Sequence, residues 1–239
     1  MTCTEPKLSL AEIAAMANSL FRTGPRVRRT IQRLRPYICP VEILLSLVPD
    51  YASVLDIGCG SGLFLGLALQ SGKAIRAYGI DVSRDALNMA EQMRENGLSH
   101  EQARRLTLHL SKGVADWPEE KFDVVSLIDM MHHVVLDQRQ AVFEAAMVRV
   151  KPGGILLYKD MCRRPRWRAL MNSLHDLVLA RLWITYTPIS EVESAAGKFG
   201  LIESRSETIN RLWYGHELRV YRRAAAKVAE AAPATAIVP

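Results

Sequence analysis

Cysteine is scarce in this chain. There are four in 239 residues, and Cys3, Cys39, Cys59 and Cys162 form neither a CxxC spacing nor a pairing with histidine at ligand intervals. That excludes a disulfide framework and a zinc module, and no metal site is expected. Long apolar runs are missing as well. A membrane-crossing helix needs ~20 nearly uninterrupted apolar residues, and the best stretches, residues 41–48 and 177–184, are broken by charge. Glu5, Lys7 and Glu12 stand where a secretory signal would place its apolar segment, so the cytoplasm is the expected location. Strong net charge is absent: 31 Lys plus Arg against 25 Asp plus Glu leave +6. Only Phe21, Tyr37 and Trp167 lie among the arginines as stacking rings. A nucleic-acid binder is expected to carry more of both, so nucleic acid is a disfavoured partner. No internal repeat is visible.

What remains is an ordinary globular composition, 49% hydrophobic and 23% charged, enough for one large domain. From residue 52 onward, β-rich runs at 53–57, 76–81, 106–111, 122–128 and 154–159 alternate with helical patterns. Ser83 is placed to cap a helix over 85–96 that Gly97 closes, and a second helix covers 137–150. This alternation predicts an α/β, doubly wound, Rossmann-like sheet. A long helix is read over 165–183, its apolar residues repeating at intervals of three and four. A short helix follows, with Thr187 and Pro188 as N-cap and first residue and Gly200 at its end. Two final β runs, 201–208 and 217–221, would pair as a C-terminal antiparallel hairpin, giving seven strands. Residues 1–49 read as an N-terminal helical cap, 50–223 as the main domain and 224–239 as a disordered tail.

The strongest local signal is Val54-Leu55-Asp56-Ile57-Gly58-Cys59-Gly60-Ser61-Gly62, a buried strand entering a glycine-rich turn and then an apolar helix. Such a turn lets backbone N–H groups approach a nucleotide-type ligand at a helix N-terminus. Asp81, nineteen residues beyond Gly62, ends the second strand where an acid can take both hydroxyls of an adenosine ribose. A dinucleotide fingerprint would need a small residue at position 63, which is Leu63.

The spacing Gly58, Gly60, Gly62 preceded by Asp56 resembles instead the first motif of the class I S-adenosylmethionine-dependent methyltransferases. Asp81-Val82 resembles that family's ribose-binding acid, residues 112–118 its adenine-side loop, Phe122-Asp123-Val124-Val125 its fourth strand, and residues 150–154 the turn into its fifth. The resemblance covers about residues 50 to 160. It implies S-adenosyl-L-methionine as cofactor, held by Asp56, Gly58, Cys59, Gly60, Gly62, Asp81, Val82, Gly113, Val114, Asp129 and Met130. Family members often carry an acid where this chain has Gly113, so adenine recognition passes to backbone at Gly113 and Val114, or to Asp116.

In an open parallel sheet the acceptor lies over the carboxyl ends of the strands. His133 and His132, after the fourth strand, and His175, on the helix after the fifth, are therefore the candidate bases for an acceptor hydroxyl or ammonium. His100, His109 and His216 read as structural. The chain lacks the Asn or Asp followed by Pro-Pro and an aromatic of base-amino methyltransferases, and the carboxylate set of metal-dependent catechol methyltransferases. A small or lipid-like acceptor is expected, with anionic or carrier-bound forms included and O-methylation favoured. An RNA or protein methyltransferase, or a non-catalytic cofactor-binding protein, stays open as the alternative. Residues 22–35 hold six arginines and no acid, and Arg163, Arg164, Arg166 and Arg168 form a second cluster. Flanking the site, both would attract an anionic substrate or an acidic acyl carrier protein.

Overall fold

The computed structural model describes residues 8–162 and 186–225. The helix read over 165–183, with His175 and the second arginine cluster, lies outside the described residues, as do residues 226–239 of the expected tail. Seven strands, β1 (Ala52–Ile57), β2 (Ala74–Asp81), β3 (Leu106–Leu110), β4 (Phe122–Ile128), β5 (Val150–Met161), β6 (Leu201–Arg211) and β7 (Tyr214–Arg223), form one sheet in the order β3-β2-β1-β4-β5-β7-β6. The first five run parallel, and β7 pairs antiparallel with both β5 and β6. The Rossmann-like sheet and the C-terminal hairpin are thus as expected.

Every residue of β1 is buried, as a central parallel strand covered on both faces requires. Alternate side chains serve opposite cores: Val54, Val124 and Leu157 face one cluster, Leu55, Val125 and Leu156 the other. On the first face lie α1 (Leu10–Leu20), α3 (Val41–Leu47), α4 (Leu63–Gln70) and α5 (Arg84–Gly97). On the second face lie α7 (Leu136–Val148) and α8 (Ile189–Lys198). The helix α4 reads LFLGLALQ and is apolar all round, so it sits wholly inside. α2 (Arg26–Ile38) leans on α1, which begins with a Ser9–Glu12 capping box. Gly97 lets α5 meet α1 closely, since a Cβ there would stand 2.3 Å from the Leu20 carbonyl oxygen. None of the described helices is long and apolar enough to cross a membrane.

Three local readings need correction. Residues 150–154 are not a free turn: Val150 already pairs with Phe122, and the ladder resumes at Val124 with Ile155, so Lys151-Pro152-Gly153-Gly154 is a bulge within β5. A short helix α6 (His100–Arg104), capped by Ser99 and Gln102, was not anticipated. Pro188, not Thr187, occupies the N-cap of α8, and it makes no side-chain cap bond.

Candidate active site

The strand order reverses between β1 and β4, and the carboxyl ends there open a crevice, the usual ligand position in such sheets. A cavity of about 1050 Å³ occupies it. Its wall gathers Asp56, Gly58, Cys59, Gly60, Asp81, Val82, Gly113, Val114, Asp129, Met130 and His133, residues drawn from four separate segments. The cap closes the other side with Arg28, Ile31, Gln32, Arg35 and Cys39.

The glycine turn is fixed by crowding on either side of an open middle. Gly58 and Gly60 adopt φ of 74° and 56°, which L side chains resist. A Cβ at Gly58 would stand 2.6 Å from the Met130 Cβ, and one at Gly62 would meet Met93 and Ala90. At Gly60 a Cβ would meet nothing within 4 Å. Gly62 therefore lies behind the cavity at the start of α4, while Gly60 borders the space itself. Asp81 organises the turn: its carboxylate accepts the Gly60 N–H at 2.7 Å and the Ser83 N–H at 2.8 Å. Each carboxylate oxygen keeps a further lone pair for a ligand hydroxyl. Asp56 is buried and accepts the Ser126 hydroxyl at 2.7 Å. Burial pushes its carboxyl up to about 7, against that bond, with Asp81 adding to the rise. A cation in the cavity would restore its charge. Burial likewise raises the Cys59 thiol, which stays neutral.

On the opposite wall Ser111 gathers a second loop. Its hydroxyl accepts from the Trp117 indole at 3.0 Å and donates to Asp116 at 2.7 Å. The Asp116 carboxylate also takes the Lys112 N–H at 2.7 Å and does not line the cavity, so it holds the loop and leaves the ligand face to Gly113 and Val114.

After β4, Asp129 adopts φ of 52°, a left-handed conformation that Asp enters more readily than most L residues. Lys159 on β5, fully buried, reaches it at 2.6 Å, and Arg35 from α2 at 3.2 Å. Burial alone would raise the Asp129 carboxyl; these two cations overturn that and hold it well below the usual carboxylate range. Asp129 is thus already paired with two cations. The same ammonium, after burial itself, drives His216 down to about 3. The neutral ring donates from Nε2 to the Ile38 carbonyl at 2.7 Å, tying β7 to the end of α2. Lys159 and Arg35 were not singled out from sequence. A charged pair, Lys159-Asp160, ending the apolar run Ile155-Leu156-Leu157-Tyr158 was the available signal for the first.

The two histidines part company in the tight turn Met131–His133. His132 is buried, its Nδ1 2.5 Å from the Asp160 carboxylate, and its backbone N–H meets the same group at 3.2 Å. It does not line the cavity. His133 is exposed and does, with its ring centroid 4.0 Å from that of His132.

Residues 21–202 match a family model described as a methyltransferase domain. The chain belongs to this family, the class I S-adenosylmethionine-dependent methyltransferases. Among curated relatives of this chain, the ubiquinone biosynthesis O-methyltransferase of Pseudomonas fluorescens SBW25 is 33% identical over 114 residues, 47% of this chain and 46% of that protein. The chain spans about half the length of the curated relatives it matches. An O-methyltransferase family protein from Burkholderia thailandensis has a TM-score of 0.68 at 21% identity, covering 84% of this chain and 59% of that one. The magnesium protoporphyrin IX methyltransferase of Synechocystis PCC 6803, crystallised with bound SAH, gives 0.64 at 16%, covering 88% and 93%. At these identities both speak for the fold of the chain alone.

The geometry of Asp81 carries a direct expectation. Asp81→Ala removes the acceptor for ligand hydroxyls and frees the Gly60 N–H, so S-adenosylhomocysteine should bind the chain more weakly by over ~1 kcal/mol. Titration calorimetry on the folded variant reads this; an unchanged dissociation constant removes Asp81 from the site.

Proposed function

We propose that the chain transfers the methyl group of S-adenosylmethionine to an oxygen of a small or lipid-like acceptor, with His133 as the base. The observation that carries this reading is an exposed histidine on the wall of the same cavity as the glycine turn and Asp81. The curated relatives' name, O-methyltransferase, agrees with it. The alternation of Ile31, Val41, Leu44, Val134 and Val142 around the cavity suits an acceptor with an apolar body. Arg28 and Lys112, also on its wall, favour an anionic or carrier-presented one.

The residues fit the cofactor by their chemistry. Asp81 would take the ribose diol, the backbone of Gly113 and Val114 the adenine edge, and the glycine turn the methionine portion. Asp56, close to half-ionised near neutral pH, would meet the ammonium. Arg35, with five donors in its guanidinium, would meet the carboxylate while keeping Asp129. When bound, S-adenosylmethionine supplies an electrophilic methyl carbon on a sulfonium. His133 would take the proton of the acceptor hydroxyl as that oxygen accepts the methyl group, the chemistry that the bound cofactor would supply. Burial on the apolar walls excludes water and holds the acceptor in line.

Two measurements test the reading. S-adenosylhomocysteine at ~100 times its dissociation constant should stabilise the protein by about 2.7 kcal/mol, seen as a raised melting temperature, while NADH should leave it unmoved. With methyl-labelled cofactor and a panel of alkylated phenols and hydroxybenzoates, label should enter the small-molecule fraction. Label that enters only RNA or protein refutes the acceptor class and leaves the cofactor assignment standing.

A further inference from the structure

A surface helix of a folded protein ordinarily turns its apolar stripe inward. α2 does not. Val27, Ile31, Leu34 and Ile38 recur at spacings of four, three and four, one stripe along the helix, yet Pro36 is the one buried residue of α2. Val27 is 72% exposed and Leu34 55%, with Tyr37 beside them at 44%. Five of the six arginines of residues 22–35 lie on this helix, with no acid among them. Arg28 reaches Asp85, Arg35 reaches Asp129, and Arg29 and Arg33 reach backbone carbonyls of Arg22 and Phe21. Arg22 and Arg26 are exposed at the N-terminal end. Sharp separation of arginine and apolar faces at low overall hydrophobicity marks helices that lie in a membrane interface.

Other exposed apolar residues gather beside this helix. The tip of the β6–β7 hairpin, Leu212 and Trp213, is 61% and 45% exposed. It is tied to the end of α2 and the start of α3 by the Arg211–Glu42 ion pair and the His216–Ile38 bond. Val82 and Val135, both exposed, share the cavity wall with Ile31. Ile31, Val82, Val135 and Arg28 thus line the cavity, Val27, Leu34 and Tyr37 stand exposed on the same helix as Ile31, and the tryptophan-bearing tip, suited to the headgroup level, is tied to that helix's end.

We propose that α2 and the hairpin tip dock on an anionic lipid surface, with the cavity opening beside it. Guanidinium groups of Arg22 and Arg26 meet lipid phosphates, and Val27, Leu34 and Trp213 enter the acyl boundary. An acidic protein would match the arginines but leave the apolar stripe without a partner. A second copy packed symmetrically would set arginine against arginine. The surface stands apart from the acceptor assignment, because its test needs no turnover.

The full chain is mixed with vesicles of phosphatidylcholine alone or with roughly one-third phosphatidylglycerol and floated on a density gradient near physiological salt, ~0.15 M. The chain should float with the anionic vesicles and stay behind with the neutral ones. The double variant V27E/L34E should lose about tenfold or more in partitioning, since two apolar contacts become carboxylates facing an anionic surface. R22A/R26A should weaken binding and flatten its salt dependence. An unchanged melting-temperature rise with S-adenosylhomocysteine certifies that both variants are folded, because none of these four residues lines the cavity. Equal binding to both vesicle types, or binding indifferent to V27E/L34E, overturns the proposal. So does a V27E/L34E-sensitive dimer in sedimentation, or capture of an acidic carrier protein without vesicle binding.

Discussion

Replacing His133 with Gln should lower turnover by ~100-fold or more while the dissociation constant of S-adenosylhomocysteine and the melting temperature stay nearly unchanged. The reason lies in how the loop after β4 is held. Asp160 fixes it from beneath, through the ring and the backbone N–H of His132, and Arg139, buried, donates to the Val134 carbonyl at 3.1 Å just beyond. His133 makes a backbone bond to the Met130 carbonyl that Gln keeps, and its ring faces the cavity. The loop therefore has anchors besides the His133 side chain, and replacing that side chain should fall mainly on the chemical step. His132→Ala is the contrasting variant. It takes the imidazole from the buried Asp160 carboxylate and leaves it the backbone N–H groups of residues 132 and 161 alone, so stability should fall with activity, by about 1–3 kcal/mol. Full turnover in His133→Gln would exclude the base and leave alignment by the cavity walls as the source of rate. A joint fall in affinity, stability and turnover would make His133 a structural prop.

The legibility of these parts in the sequence follows from how local each is. The glycine turn and Asp81 are short-range features: one strand, one turn, and an acid at the end of the next strand, so residue types and spacing suffice. The sheet was legible for the same reason, since buried parallel strands write themselves as short apolar runs between capped helices. The choice between His132 and His133 was not written in residue type. Successive side chains of a tight turn point about a third of a revolution apart, so one enters the core and its neighbour meets solvent. Asp116 looked like an adenine ligand because spacing places it in the right loop; only the hydroxyl of Ser111 and the N–H of Lys112 show that its carboxylate is turned into the loop. The Asp129 cluster was the least legible. Its members Arg35, Asp129, Lys159 and His216 come from α2, the end of β4, β5 and β7, and no window of sequence holds more than one.

That cluster carries the largest expected effect on stability. Lys159→Met should destabilise the protein by about 3–5 kcal/mol at neutral pH, the usual consequence of removing one partner of a buried ion pair. For a domain of this size that is a melting temperature lower by on the order of 10 °C. In the native protein the carboxyl of Asp129 lies below its unfolded value, so the pair contributes stability above about pH 4 and loses it as pH falls further. In the variant the sign reverses. Burial pushes the Asp129 carboxyl upward, Arg35 opposes it only from a partly exposed position, and Cys39 stays a neutral thiol. His216, relieved of the Lys159 ammonium, moves up from about 3 while burial still restrains it. Proton uptake by either group relieves the stranded carboxylate, so the gap between variant and wild type should narrow as pH falls from 7 toward 4. Asp129→Asn combined with Lys159→Met removes both charges and should recover part of the loss, the coupling appearing as non-additivity of at least ~1 kcal/mol in a double-mutant cycle. Because Asp129 immediately precedes Met130, which packs against Gly58, the single variant should also loosen cofactor binding, and the double variant should restore part of it. A gap that stays constant with pH, together with additive effects of the two substitutions, would show that Lys159 contributes only its packing and that the charge of Asp129 is held by Arg35 alone.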